Sequence, residues 1–210
     1  MQKSKSRRTE INRKTEIIQA TLELAAEKGL GAVSMQQIAN RVGITKASLY
    51  NHFSSRDEIV EEMYGVLRQA AKEKANVGRV DFDRLTSDLP LSQILLGAVG
   101  SYRSMVQDRK MYLFYKLIMS ERTINPVAAE IMVKETETMI HATKTLFYAL
   151  QVKGIARFPD ADAAAFSFAM AVHAILDYEF DLQFSGRDSD ENRMNDFIKE
   201  FSRLYQAREV

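Results

Sequence analysis

The stretch from Ser34 to Arg56 constrains the fold of this chain more than any other part of the sequence. Two short helical patterns, Met35 to Val42 and Lys46 to Phe53, lie on either side of Gly43. Glycine readily adopts the positive φ that ends one helix and starts a tight turn. The stretch therefore predicts two helices joined by a sharp turn, which is a helix-turn-helix.

Local signals indicate where these two helices begin and which side of each is buried. Ser34 and Gln37 have the spacing of a capping box, and Thr45 is placed to cap the second helix. Apolar residues recur at three- and four-residue intervals in the first helix, and Leu49 and Phe53 lie four apart in the second. The second helix leaves a polar set of residues exposed, which indicates a surface that contacts a partner.

The charge distribution indicates the kind of partner. Residues 1 to 56 contain ten Lys or Arg and four Asp or Glu, whereas residues 57 to 210 contain 19 basic and 24 acidic residues. Positive charge beside an exposed helix favours binding to a nucleic-acid duplex, because neutralised phosphates release counterions. Lys3, Lys5, Arg7 and Arg8 have no apolar pattern around them. We expect residues 1–9 to form a flexible basic arm that reaches phosphates or a minor groove, with a disordered tail as the alternative.

The remaining sequence predicts helices and no strand, so the expected fold class is all-α. A first helix is expected from Glu10 to Lys28, and a loop is expected from Val77 to Pro90. Further helices are predicted over residues 91–107, 109–121, 126–151, 160–184 and 192–207, which makes about nine in all. The domains predicted from these patterns are a helix-turn-helix domain at 1–56, a connecting helix at 57–76 and a larger helical domain at 77–210.

Composition and motifs argue against other classes of protein. The chain has no cysteine, its basic start is not followed by an apolar segment, and it contains no apolar run long enough to span a membrane. A soluble cytoplasmic protein is expected. The sequence has no metalloprotease, nucleophile-elbow or phosphate-loop motif, so we expect no catalytic residue, metal or cofactor. A helical-bundle metalloenzyme built on Glu137 with His141, or on His173 with Asp177, is a distant alternative.

The residues IANRVGITKASLYNHFSSRDEIV resemble the DNA-binding domain of the TetR-like (tetracycline-repressor) family of transcriptional regulators. The resemblance extends back through IIQATLELAAEKGLGAVSM and covers roughly residues 12 to 64. It implies a homodimer that reads a near-palindromic operator, and a C-terminal domain that binds a small-molecule effector. Such a protein is most often a repressor released by its effector. An activator, or a co-regulator controlled by a protein partner, is the alternative.

The resemblance also implies roles for individual residues of the helix-turn-helix. The residues expected to contact base edges are Gln36, Lys46, Ala47, Ser48 and Asn51. The residues expected to contact phosphates are Ser34, Thr45, Tyr50, His52 and Arg56. Asn51 departs from the large aromatic residue seen at this position in some relatives, so the operator sequence does not follow from the resemblance.

The C-terminal helices contain the residues expected in an effector pocket and a dimer interface. Aromatic and methionine side chains adapt to apolar ligands, so an effector of apolar or aromatic character is expected, although many of these side chains could be ordinary core. The expected pocket residues are Tyr102, Met105, Tyr112, Tyr115, Met119, Met139, Phe147, Met170, His173 and Asp177. The helix over 161–184 is apolar on nearly all sides, and the last helix carries an apolar stripe. The expected dimer interface is Phe168, Ile175, Leu182, Phe197, Phe201 and Leu204.

Overall fold

The computed structural model of this chain describes the backbone of residues 2–74, 89–188, 190 and 192–207, and the side chains of the same residues except 2–11 and 74. Over these residues it contains nine α-helices and no strand, and the predicted all-α class is confirmed. An isolated antiparallel bridge joins Ala156 and Gln206. None of the described helices combines the length and the apolar character needed to cross a membrane.

The helices have the following bounds. They are α1 Gln2–Lys28, α2 Met35–Val42, α3 Lys46–Tyr50, α4 Arg56–Lys74, α5 Leu91–Val106, α6 Arg109–Glu121, α7 Pro126–Val152, α8 Ala161–Phe184 and α9 Asn192–Tyr205, with a short 3-10 helix at Leu30–Ala32 between α1 and α2.

Side-chain caps explain several of these starting points. The carboxylate of Asp108 accepts from the backbone N–H of Lys110 at 3.1 Å, at the start of α6. Asp160 accepts from the N–H of Ala163 at 2.9 Å, at the start of α8. These bonds satisfy N–H groups that have no partner inside a helix.

Two helix ends differ from the sequence prediction. The first helix begins at Gln2 instead of Glu10, so the segment predicted as a flexible arm is helical from Gln2 onward. It contains good helix formers and no glycine or proline, and helix propensity does not require an apolar face. Helix α3 ends at Tyr50 instead of Phe53, because the N–H groups of Asn51 and His52 bond three residues back, to Ser48 at 3.2 Å and Leu49 at 2.9 Å. Most of the loop predicted from Val77 to Pro90 lies outside the described residues.

The first of two compact units comprises residues 1–74 and 106–133. Its helices are α1 to α4, α6 and the beginning of α7, with Ile17, Ile38 and Met63 fully buried. In this unit α6 packs against α1, α4 and the 3-10 helix, and the ring of Phe114 lies 6.2 Å from that of Tyr64. The domain predicted at 77–210 includes α6, and the sequence does not show its packing against these N-terminal helices. Its periodicity shows that one face is buried but does not identify the helices that cover it.

The second unit comprises residues 75–105 and 134–210 and contains α5, the rest of α7, α8 and α9. A cluster of aromatic rings lies in its core. The ring centroids of Phe147 and Phe158 are 4.4 Å apart, and those of Phe168 and Phe201 are 4.8 Å apart. Such ring pairs stabilise a core beyond the burial of their area alone.

Candidate nucleic-acid interface

The helix-turn-helix has the local geometry that the sequence predicts. Ser34 Oγ accepts from the N–H of Gln37 at 3.3 Å, and Gln37 Oε1 accepts from the N–H of Ser34 at 3.0 Å, which completes the capping box. Gly43 has φ 75°, the left-handed conformation that a turn here requires. Thr45 Oγ1 accepts from the N–H of Ser48 at 3.1 Å and starts α3. These bonds fix the points at which the two helices begin and end.

Burial divides α3 and the turn after it into a packed side and an open side. Leu49 is 0% exposed and Phe53 is 1% exposed, so both side chains anchor the helix to the first unit. The side chains of Ser48 and His52 are half-buried. The open side carries Lys46, Ala47, Tyr50 and Asn51. An exposed polar helix face on a firmly packed support is suited to reading base edges.

Two of the predicted DNA-contacting side chains are held by neighbours on their own helix. Gln36 Nε2 donates to Asn40 Oδ1 at 2.8 Å along α2. The ammonium of Lys46 lies 5.9 Å from the centroid of the Tyr50 ring, within the range of a cation–π contact. Such contacts restrict the rotamers of both side chains, so less conformational entropy remains to be lost on binding.

Arg56, a predicted phosphate contact, is also bonded within the first unit. Its Nη1 donates to the carbonyl oxygens of Leu30 at 3.0 Å, Val33 at 3.2 Å and Gly31 at 3.3 Å. The guanidinium therefore binds the segment that connects α1 to α2 through Nη1. The sequence contains no local signal for this contact, because it joins residues that are far apart in the chain.

Ion pairs between α1 and α2 were also not predicted. Arg41 Nη2 lies 3.0 Å from Glu27 Oε2, and Arg41 Nη1 lies 3.5 Å from Glu23 Oε2. Exposed pairs of this kind contribute little to stability. Their effect here is orientation, since they hold the outer side of α2 against α1. The sequence signal for these pairs was the spacing of Glu23 and Glu27, which lie four residues apart on one face of α1.

The start of α4 carries a hydrogen-bonded carboxylate. Ser55 Oγ accepts from the N–H of Glu58 at 3.1 Å, which is one of the two bonds of a capping box. The Glu58 carboxylate, however, accepts from the hydroxyl and N–H of Ser54, both at 2.6 Å, instead of from Ser55. Hydrogen bonds from the Ser54 side chain and backbone lower the pKa of Glu58 below its ordinary value.

The predicted effector-pocket residues are distributed over both units. Tyr112, Tyr115 and Met119 belong to the first unit and the others to the second. In the second unit, Phe147 is 0% exposed and packs within the aromatic core. His173 Nε2 lies 3.5 Å from Asp177 Oδ2, so these two predicted polar residues pair with each other.

Other polar contacts in the second unit join α5 to α7 and α8. Tyr102, one of the predicted pocket residues, donates through its hydroxyl to Glu135 at 3.2 Å, and Arg103 pairs with Glu179. Met105 and Met139 are buried, and Met170 is exposed. In the described part of the chain, no group of three or more His, Asp or Glu side chains is placed to hold a metal ion.

The predicted dimer-interface residues divide into buried and exposed sets. Phe168, Leu182 and Phe201 are buried within the chain and have little surface left for a partner. Ile175 and Phe197 are partly buried, and Leu204 is 66% exposed. The sequence prediction missed an exposed stripe on α8 whose members lie four residues apart: Phe166, Met170, Ala174 and Tyr178. Repetition at this interval was the signal that could have found it.

Comparison with known families identifies the group to which the chain belongs. Residues 17–63 match the profile of bacterial regulatory proteins of the tetR family. Residues 93–207, more than half of the chain, match the C-terminal domain of AefR-like transcriptional repressors. The chain belongs to the TetR family. The two matches include the helix-turn-helix and most of the helices that follow it, and they confirm the resemblance seen in the sequence.

Among curated TetR-family relatives, the HTH-type transcriptional repressor KstR2 of Mycobacterium tuberculosis is 38% identical over 52 residues. That match covers 25% of this chain and 26% of KstR2, so it spans about a quarter of either protein.

Two solved structures show the same fold over nearly the whole chain. The flavonoid-responsive regulator FrrA has a TM-score of 0.71 and 23% identity, covering 94% of this chain and 99% of FrrA. A TetR-family regulator from Mesorhizobium loti has a TM-score of 0.70 and 18% identity, covering 94% and 98%.

Proposed function

We propose that the protein is a homodimeric transcriptional repressor that binds a near-palindromic operator and is released by a small-molecule effector. It is a cytoplasmic DNA-binding protein and not an enzyme. The observation that carries the proposal is the geometry of α3, which exposes Lys46, Ala47 and Asn51 while Leu49 and Phe53 anchor it. KstR2, which is similar to this chain over 52 residues, is a transcriptional repressor.

The exposed residues of the helix-turn-helix have side chains that suit base edges. The Lys46 ammonium donates to the O6 or N7 of guanine, Gln36 and Asn51 form paired bonds with adenine, and the Ala47 methyl packs on thymine. Ser48 adds a hydroxyl that both donates and accepts.

Phosphate contacts come from Ser34, Thr45, Tyr50 and His52, and these position the unit without selecting a sequence.

Dimerisation uses the exposed apolar stripe of α8 together with Leu204 of α9. An apolar stripe on a soluble chain is a common feature of protein interfaces, and the stripe of Phe166, Met170, Ala174 and Tyr178 follows one face of the helix. A two-fold axis through such an interface places two recognition helices in successive major grooves, about 34–36 Å apart. The operator is near-palindromic for this reason.

The effector binds among the C-terminal helices and has apolar or aromatic character. The second unit offers methionine and aromatic side chains with a few polar groups, including Tyr102 and the pair of His173 and Asp177. An effector releases the operator only if it binds the non-DNA-binding arrangement of the dimer more tightly. The connecting helix α4 transmits that difference to the recognition helix.

Selection of duplexes from a random-sequence library tests this function. The purified chain should enrich an inverted repeat and bind it as two protomers per duplex. A variant with Lys46→Ala and Asn51→Ala should fail to enrich that repeat, whereas Lys199→Ala, a change of an exposed lysine on α9, should enrich it normally. Absence of any enriched sequence with the unaltered chain contradicts the proposal.

A further inference from the structure

The first turns of α1 carry a concentration of positive charge. Between Gln2 and Arg13 the sequence has one acidic residue, Glu10. It has five basic residues: Lys3, Lys5, Arg7, Arg8 and Arg13. The backbone is helical from Gln2, and the first buried side chain of α1 among those described is Ile17. Positive charge clustered on such a stretch favours binding to an anionic partner.

Lys14 shows where this stretch lies relative to α3. Its Nζ is 4.9 Å from the centroid of the Phe53 ring, just beyond the end of the recognition helix. At about 1.5 Å per residue, the turns from Gln2 to Arg13 continue the axis of α1 for about 18 Å from that point. The basic stretch therefore begins next to the end of the helix-turn-helix and continues N-terminal to it along α1.

We propose that residues 2–8 form a second DNA contact, which binds the phosphate backbone flanking the half-site that α3 reads. The inference rests on the proposed DNA binding, and it adds a contact to that function. Charge complementarity identifies the partner, because duplex DNA carries about one negative charge per 1.7 Å of its axis. The family profile begins at residue 17, so this segment lies outside the shared DNA-binding domain. A phosphate contact of this kind raises affinity for every sequence alike.

Two matched charge variants test the proposal in the full-length chain. The first carries Lys3→Gln, Lys5→Gln, Arg7→Gln and Arg8→Gln, which keeps the helix propensity nearly unchanged. The control carries Lys153→Gln, Arg157→Gln, Arg187→Gln and Lys199→Gln, four exposed residues of the second unit. Both variants lose the same formal charge. Thermal unfolding of each should match that of the unaltered chain, and a truncation that removes residues 2–8 should bind like the first variant.

The measurement is the dissociation constant as a function of salt, on the selected duplex with and without about 10 base pairs of flanking DNA at each end. With flanks, the first variant should bind more weakly, and the slope of log K against log salt should be shallower by about 0.9 for each phosphate that is no longer neutralised. The control should bind like the unaltered chain. On the duplex without flanks, all three proteins should agree, and the preference for the selected sequence should be unchanged.

Equal salt slopes for the first variant and the control on the flanked duplex overturn this inference and leave the proposed function intact. A loss that is equal with and without flanks also overturns it, since the segment then contacts the half-site itself. The proposed function fails separately if the unaltered chain shows no sequence preference. In that case the salt slope on an unselected long duplex still tests the segment.

Discussion

Arg56 Nη1 donates to the carbonyl oxygen of Leu30 at 3.0 Å, and this bond ties the start of α4 to the segment between α1 and α2. Gly31, the residue after Leu30, also donates its N–H to the carboxylate of Glu121 at 3.3 Å, at the end of α6. The connection that orients the helix-turn-helix is thus bonded to two other helices of the first unit. Its stability controls the position of α2 and α3.

Replacing Arg56 by Ala should therefore destabilise the protein. Three carbonyl oxygens lose a charged donor, and hydrogen bonds to charged groups contribute about 1.5 to 3 kcal/mol. Urea unfolding should show a loss within that range. Arg56→Lys should recover only part of it, because one ammonium does not reproduce the planar guanidinium. Arg13→Ala is the control, since it breaks only an exposed pair with Glu16. An unchanged unfolding midpoint in Arg56→Ala, with weaker DNA binding, would restore the phosphate role instead.

The caps of α2 and α3 predict a second effect on stability. Ser34→Ala and Thr45→Ala each remove a side-chain oxygen that accepts from the helix backbone, and each should cost about 0.5 to 2 kcal/mol of unfolding free energy. Ser34→Gly and Thr45→Gly should cost less than the alanine changes. Urea unfolding of the four variants measures the difference, and alanine variants as stable as the unaltered chain contradict the capping geometry.

Glu58 predicts how stability depends on pH. Its pKa is lowered in the folded chain by hydrogen bonds from Ser54, so its contribution is present above the unfolded-state pKa, near 4.5, and is lost as the pH falls through the folded-state value. The unaltered chain should be more stable than Glu58→Gln at neutral pH, and the difference should shrink below about pH 4.5. Unfolding curves from neutral to acid pH test this. Glu61→Gln, on the exposed side of the same helix, controls for the loss of a charge, and a difference that grows in acid contradicts the assignment.

The exposed stripe on α8 predicts the behaviour of the dimer. Met170→Glu places a charge in the proposed apolar interface and should produce monomers in sedimentation at micromolar concentration. Val152→Glu changes another exposed apolar residue, on α7, and should leave the dimer intact. A dimer that survives Met170→Glu, or that is lost equally in both variants, places the interface elsewhere.

The sequence predicted those parts of the fold that depend on local signals. The box of Ser34 and Gln37, the turn at Gly43 and the cap at Thr45 each involve residues within one helical turn of each other, so the spacing of residue types is sufficient to find them. The start of α6 after Asp108 and that of α8 after Asp160 follow from the same kind of signal.

The remaining features depend on contacts between distant parts of the chain. The pattern of α6 shows that Phe114 is buried, but it does not show that α6 packs against α1 and α4. Phe168 and Phe201 satisfied the apolar pattern of an interface equally well, yet each packs on the other inside the chain. Arg56 gave no sequence signal for a structural role, since its partners lie between α1 and α2. Periodicity identifies a buried face without identifying the residues that cover it.

The most direct test of DNA reading by α3 is the affinity of Lys46→Ala for the selected operator and for a scrambled duplex at the same salt concentration. Removal of a base contact should weaken operator binding by about 1 to 3 kcal/mol and leave scrambled-duplex binding much less affected. The sequence preference at one base pair of each half-site should relax as well. An equal loss on both duplexes, or no loss on either, would contradict the claim that the exposed side of α3 reads the sequence.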